Sequence, residues 1–182
     1  MAAILEAALQ VLVTTGAEGL TTTRVAERAG VSVGTLYQYF PDKRALVVAL
    51  RVRYVDGLVE HVGAAMRAAA GLPPEAAFRP VITALLTFKR ENLQLSRAVR
   101  AAGGDFTQPE MIRAVGARLV QVTQAFVEAA APGRAHPELV ARVLVGAIEG
   151  ALSVAVDESP ELLASDAFAE ELMRLAGGYL KG

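Results

Sequence analysis

The sequence predicts an all-α protein of about nine helices, and three observations carry that prediction. Ala, Leu, Glu, Arg and Val dominate the 182 residues, Gly and Pro recur at intervals suited to helix ends, and no long stretch alternates apolar with polar residues as a half-buried strand does. Ile4, Leu5, Ala8, Leu9 and Leu12 fall three or four apart, giving one apolar stripe of a first helix that ends before Gly16, a C-cap residue. Thr21, Thr22 and Thr23 offer hydroxyls to cap a second helix, in which Val25 and Ala26 turn inward and Gly30 brings an early end. Ser32 caps a third, where VGTLYQYF makes about two turns and stops at Pro41, because proline disfavours helical geometry in the residue before it. Asp42 caps a long connecting helix that runs to Gly71, with Leu46, Leu50, Val55, Leu58, Val62 and Met66 along its apolar face. Beyond the turn LPP, the blocks EAAFRPVITALLTFKRENLQLSRAVRAA, EMIRAVGARLVQVTQAFVEAA, PELVARVLVGAIEGALSVAVDE and DAFAEELMRLAGGYL are each helical in period. Breaks are expected at Gly103-Gly104, Pro132-Gly133 and Ser159-Pro160.

A chain of this length can bury a substantial core, as one full-sized domain or as a small one joined to a larger. Hydrophobic residues make up 53% and the mean hydropathy is +0.38, yet charges interrupt every apolar run before it reaches about 18 residues, so a soluble protein without a membrane span is expected. The N-terminus has no basic segment and holds Glu6 inside its apolar stretch, which does not fit a secretory signal and predicts a cytoplasmic location. Cysteine is absent, leaving His61 and His136 as the imidazole ligands, so no disulfide framework, metal site or cofactor is expected. A paired His/acid cluster, a phosphate-cradling glycine loop and an H-E-x-x-H motif are all missing, which argues against an enzyme. The net charge of −1 is unevenly spread: residues 1–53 hold six bases (Arg24, Arg28, Lys43, Arg44, Arg51, Arg53) against four acids (Glu6, Glu18, Glu27, Asp42), and the remainder is acidic.

The informative stretch is Leu20 to Leu46, LTTTRVAERAGVSVGTLYQYFPDKRAL. Two short helices around a glycine-containing turn form the unit that sets its second helix in a DNA major groove. Val25, Ala26, Ala29, Val31, Leu36 and Phe40 are spaced to hold those helices together, leaving Val33, Gly34, Thr35, Tyr37, Gln38 and Tyr39 as an outward surface. Gln38 can hydrogen-bond a base edge, Val33 can touch a thymine methyl, Gly34 permits close approach, and Thr35, Tyr37 and Tyr39 offer hydroxyls to phosphates. Lys43 opens the next helix, where its ammonium and the helix N-terminus can together hold another phosphate. Capping alone accounts for one threonine, packing for half-buried tyrosines and a solvated pair for Lys43 and Arg44. Their joint register favours DNA.

In that register, GLTTTRVAERAGVSVGTLYQYFPDKRALVVAL resembles the N-terminal signature of the tetracycline-repressor-like (TetR/AcrR) family. The match runs through the Thr pair, the Val-Ala step, Ala-Gly-Val-Ser, Gly-Thr-Leu-Tyr, the aromatic pair ending at Phe40, and Lys43 with Leu46. It covers roughly the first quarter of the chain. The resemblance implies an all-helical homodimer, with a DNA-binding domain over residues 1–46, its recognition helix at about 32–40, and a ligand-binding and dimerisation domain over 47–182. It implies contacts to double-stranded operator DNA from Thr22, Thr23, Arg24, Ser32, Val33, Gly34, Thr35, Tyr37, Gln38 and Tyr39, with a phosphate held by Lys43. The implied function is transcriptional regulation by a repressor that a small, largely apolar effector releases from a pseudo-palindromic operator. No Lys or Arg precedes Arg24, in contrast to the basic arm many members carry, so phosphate affinity below the family norm is expected.

In the C-terminal part, the stripes Val81/Leu85/Phe88 and Val115/Leu119/Val122 are first of all core positions. A sensing cavity would draw on such residues, Phe88 among them, and on His61, Asn92, Gln121, Gln124 and Glu149, polar groups within otherwise apolar helices. Glu149, facing inward, would meet a cationic or hydroxylated ligand; on the surface it would make an ordinary ion pair. The last helices, about 137–157 and 165–181, carry a broad apolar stripe through Leu139, Val143, Leu144, Ala147, Ile148, Ala151 and Leu152, then Phe168, Leu172, Leu175 and Leu180. Small Gly146 and Gly150 permit close approach, so a two-fold, four-helix dimer interface is expected there.

Overall fold

The computed structural model describes the backbone of residues 1–102 and 109–181 and, within these, every side chain except those at 74, 75, 109–113, 115 and 181. The predicted break at Gly103-Gly104 and the side chain of Val115 lie outside the described residues. The fold is all-α. Among the described residues there are nine helices, α1 (Ala2–Gly19), α2 (Thr22–Ala29), α3 (Val33–Tyr39), α4 (Lys43–Ala68), α5 (Pro74–Glu91), α6 (Leu93–Ala101), α7 (Pro109–Ala130), α8 (Pro137–Glu158) and α9 (Asp166–Lys181), with a 3-10 turn at Pro160–Ala164 and no strand.

Helical geometry breaks at Gly16, where the sequence places the end of the first helix: its φ is 70° and its ψ −178°, and a further short turn follows to Gly19. One boundary departs from the expectation. The block 75–102, read as one helix, is two. Asn92 leaves helical geometry after α5, with φ −109° and ψ 26°, and both its backbone N–H and its Nδ2 donate to the Phe88 carbonyl, each at 3.0 Å.

By packing, the chain divides into two compact units. The first comprises residues 1–55 and 94–112 and encloses Ile4, Ala8, Leu12, Leu20, Val25, Leu36, Leu46, Leu50, Leu95 and Val99. Inside it, the hydroxyls of Tyr54 on α4 and Ser96 on α6 are 3.1 Å apart, so two buried polar groups satisfy each other. The second comprises residues 56–93 and 113–182, with Leu58, Val62, Phe78, Ile82, Leu85, Val127, Leu144, Leu152 and Leu172 in its core. Phe78 of α5 meets Phe126 of α7 edge-on, ring centroids 5.5 Å apart. Gly57 lets α4 lie close to α5, since a Cβ there would stand 3.1 Å from the Phe88 ring. Arg118 of α7 pairs with Asp56 of α4. Burial of each such large side chain stabilises its unit by about 1.5–3 kcal/mol. Helix α4 is continuous, with residues 43–55 in the first unit and 56–68 in the second.

Candidate functional site

The two short helices of the first unit are fixed by caps at both ends. Thr21 has extended backbone, φ −130° and ψ 149°, and its hydroxyl accepts from the Arg24 N–H at 3.3 Å to start α2. Gly30 ends α2 in the left-handed region, φ 68°, and its N–H reaches the Ala26 and Glu27 carbonyls while that of Val31 reaches Ala26 at 3.0 Å. Ser32 then accepts from the Thr35 N–H at 3.0 Å and lies 2.8 Å from the Thr35 hydroxyl, which starts α3 within two residues of the turn. Leu36, Phe40, Val25 and Ala26 are all buried, as the spacing predicts, with Ala29 and Val31 half-buried.

The opposite face of α3 is open. Tyr37 and Tyr39 are 50% and 54% exposed, Gly34 and Gln38 are also exposed, and Val33 and Thr35 are half-buried. The Tyr37 hydroxyl lies 3.2 Å from Oγ1 of Thr22, so the first turn of α2 and the face of α3 form one surface. Thr23 and Arg24 extend it, with Nη1 of Arg24 donating to the Gly19 carbonyl at 2.9 Å. Lys43 stands half-buried in the first turn of α4, next to Asp42, whose Oδ1 caps that helix by accepting from the Ala45 N–H at 2.8 Å. The eleven residues singled out from the sequence for DNA thus share α2, α3 and the start of α4 in one unit. Hydroxyls, an amide and two cations on such a face can bond phosphates and base edges.

The second unit holds a cleft between α4, α5, α7, α8 and α9 that opens to solvent and has about 50 Å³ of space inside. Val62, Met66, Phe78, Ile82, Leu85, Phe126, Leu144 and Ile148 line it, and Thr123 and Glu149 are its polar side chains. Behind this lining, Lys89 Nζ donates to Glu149 Oε2 at 2.8 Å, with the lysine side chain 5% and the glutamate 32% exposed. The second carboxylate oxygen, Oε1, is buried without a hydrogen-bond partner among the described residues.

Of the effector candidates read from the sequence, Glu149 lines this cleft. The others stand elsewhere. His61 is exposed with its ring 5.9 Å from that of Phe88, which is buried against Gly57; Asn92 caps α5; Gln121 is exposed; and Gln124 donates to Glu128 at 2.9 Å. Sequence reasoning passed over Lys89 and Thr123. Lys89 was findable, because it continues Val81 and Leu85 at intervals of four along a buried face, where a cation demands a partner.

On the outer side of α8, Leu139, Val143 and Val154 are exposed, as is Leu175 on α9, and a Cβ at Gly146, Gly150, Gly177 or Gly178 would meet nothing within 4 Å. Among the described residues α8 is the one helix long and apolar enough to cross a membrane, and 33% of that window is buried.

Residues 4–50 match the family model of bacterial regulatory proteins, tetR family, and residues 73–180 match that of the tetracyclin repressor-like C-terminal domain. Over 48 residues, 26% of this chain and 22% of the relative, the sequence is 52% identical to tetracycline repressor protein class C of Escherichia coli. It is 42% identical over 64 residues to the HTH-type transcriptional activator FasR of Mycolicibacterium smegmatis, 35% of this chain and 29% of that one. The matches thus span about a fifth to under a third of these relatives' length. A crystal structure of a TetR-like transcriptional regulator from Rhodococcus sp. RHA1 superposes with a TM-score of 0.70 at 26% identity, covering 100% of this chain and 95% of that one.

Proposed function

The chain belongs to the tetR family of bacterial regulatory proteins, and from that premise we propose that it is a cytoplasmic, non-enzymatic repressor, a homodimer that leaves its operator when a small apolar effector binds. The observation that carries this reading is the α2–α3 unit, capped at each end and presenting Thr22, Tyr37, Gln38 and Tyr39 on one open face. Residues 1–46 are assigned to DNA and 47–182 to effector and dimer. Thr23, Arg24, Ser32, Val33, Gly34, Thr35 and Lys43 complete the DNA-facing set.

The exposed apolar side of α8 together with α9 is assigned to the partner subunit. A membrane is the poorer occupant, because Arg142 and Glu149 would be carried into it. Binding of such a dimer to one face of a two-fold operator would set its two α3 helices in major grooves about 34 Å apart. Helix α4 carries Lys43 in its first turn and Val62 and Met66 in the cleft, so an effector that prefers one dimer geometry shifts the population away from the DNA-competent one.

Enrichment of bound duplexes from a random pool is expected to recover two half-sites related by a two-fold axis. Changing Leu139 and Val143 together to Glu should yield a folded monomer by sedimentation that no longer selects the paired site. Recovery of one unpaired half-site by the parent protein, or a dimer that persists in the variant, contradicts the assignment.

A further inference from the structure

We propose that the cleft takes a neutral, mainly apolar molecule carrying one hydroxyl-type hydrogen-bond donor, and that Oε1 of Glu149 receives this donor; the inference rests on the reading that the effector binds in this cleft. The walls settle the body of the ligand. Phe78, Leu85, Phe126, Leu144 and Ile148 offer dispersion contact and no polar atom, so most of the occupant must be apolar. Glu149 settles one end, because its Oε2 is bound by Lys89 while its Oε1 is buried and unpartnered among the described residues. A buried carboxylate oxygen without a donor is costly, and a ligand that supplies the donor removes that cost on binding. The terminal torsion of glutamate is broad, so a modest turn of the carboxylate presents the oxygen to the cleft.

Charge then chooses among the donors. Lys89 and Glu149 already form an ion pair beside an apolar lining. A protonated amine would add an uncompensated positive charge there, and a carboxylate would bring like charge against Oε1. A neutral hydroxyl gains the hydrogen bond and adds no charge. Lys89 acts as a positioning residue, holding Glu149 through Oε2.

The test is displacement of Nile red from the full-length protein by four probes of matched length: nonanol, octyl methyl ether, nonylammonium and nonanoate. Nonanol is expected to displace the dye at least about tenfold better than each of the others, as a hydrogen bond to a charged acceptor implies. Glu149→Ala alone takes from Lys89 its carboxylate and risks misfolding, so the comparison is repeated in Lys89→Met/Glu149→Leu, where nonanol and the ether should come within about twofold of one another. Equal displacement by nonanol and the ether in the parent protein overturns the donor site while leaving the cleft as an apolar binding site. Best displacement by the amine or the carboxylate overturns the charge argument, and a nonanol preference that survives in the double variant moves the acceptor away from Glu149. Failure of every probe overturns both the donor site and the effector cleft.

Discussion

Tyr37→Phe combined with Gln38→Ala is expected to lower affinity for the specific site by at least about a hundredfold, with stability within about 1 kcal/mol of the parent. On the proposed reading, each position would contribute a separate kind of contact. The Tyr37 hydroxyl, 3.2 Å from Thr22 Oγ1 at the rim of the exposed face, is placed for a phosphate, and its loss should weaken binding to all duplexes alike. The Gln38 amide is the group suited to a base edge, and its loss should relax the preference at one position in each half-site. At about 1–3 kcal/mol for the base contact and about 0.5–1.5 kcal/mol for the phosphate hydrogen bond, each repeated in both subunits of the dimer, the combined loss is about 3 kcal/mol at its lower bound and reaches the stated size. Both side chains are exposed, so the fold loses little. Band shifts with the enriched site and with random duplex read both effects, and an unchanged ratio for the double variant would remove α3 from base readout.

The second large effect concerns the ion pair behind the cleft. Glu149→Ala is expected to cost about 3 kcal/mol in urea denaturation, because it takes the carboxylate from an ammonium whose side chain is 5% exposed. The 32% exposure of Glu149 sets the expectation at the lower end of what breaking a buried pair costs. Replacing both partners, Lys89→Met with Glu149→Leu, should recover most of that loss, since no buried charge of the pair is then left without its partner and the cleft lining beside Glu149 is apolar. If the single variant is as stable as the parent, the pair is solvated and the cleft is wetter than its lining implies.

The head of the molecule was legible in the sequence because its rules are local. Thr21, Gly30, Ser32 and Asp42 cap or end helices through hydrogen bonds to residues three or four away, and each does so where the residue types predict. The division between α5 and α6 was not legible. The apolar period runs on across Asn92, and the break shows only in the backbone of that residue, φ −109° and ψ 26°. Gly16 was legible, its positive φ breaking the helical path where the apolar stripe ends. The cleft was hardest to read, because its walls come from five helices and periodicity places a residue on a face without saying what that face meets. His61 and Gln121 lie in apolar helices yet are exposed, whereas Lys89, charged, lies inside.

The central claim, that this chain is an operator-binding dimer, is tested most directly by a band shift of the purified protein on the intergenic DNA upstream of its own gene, across a salt series with random duplex as competitor. Retention at two subunits per site, with a preference of about a thousandfold or more over random duplex and a steep fall in affinity as salt rises, is the predicted result. Equal retention of random and upstream DNA at every salt concentration would contradict it.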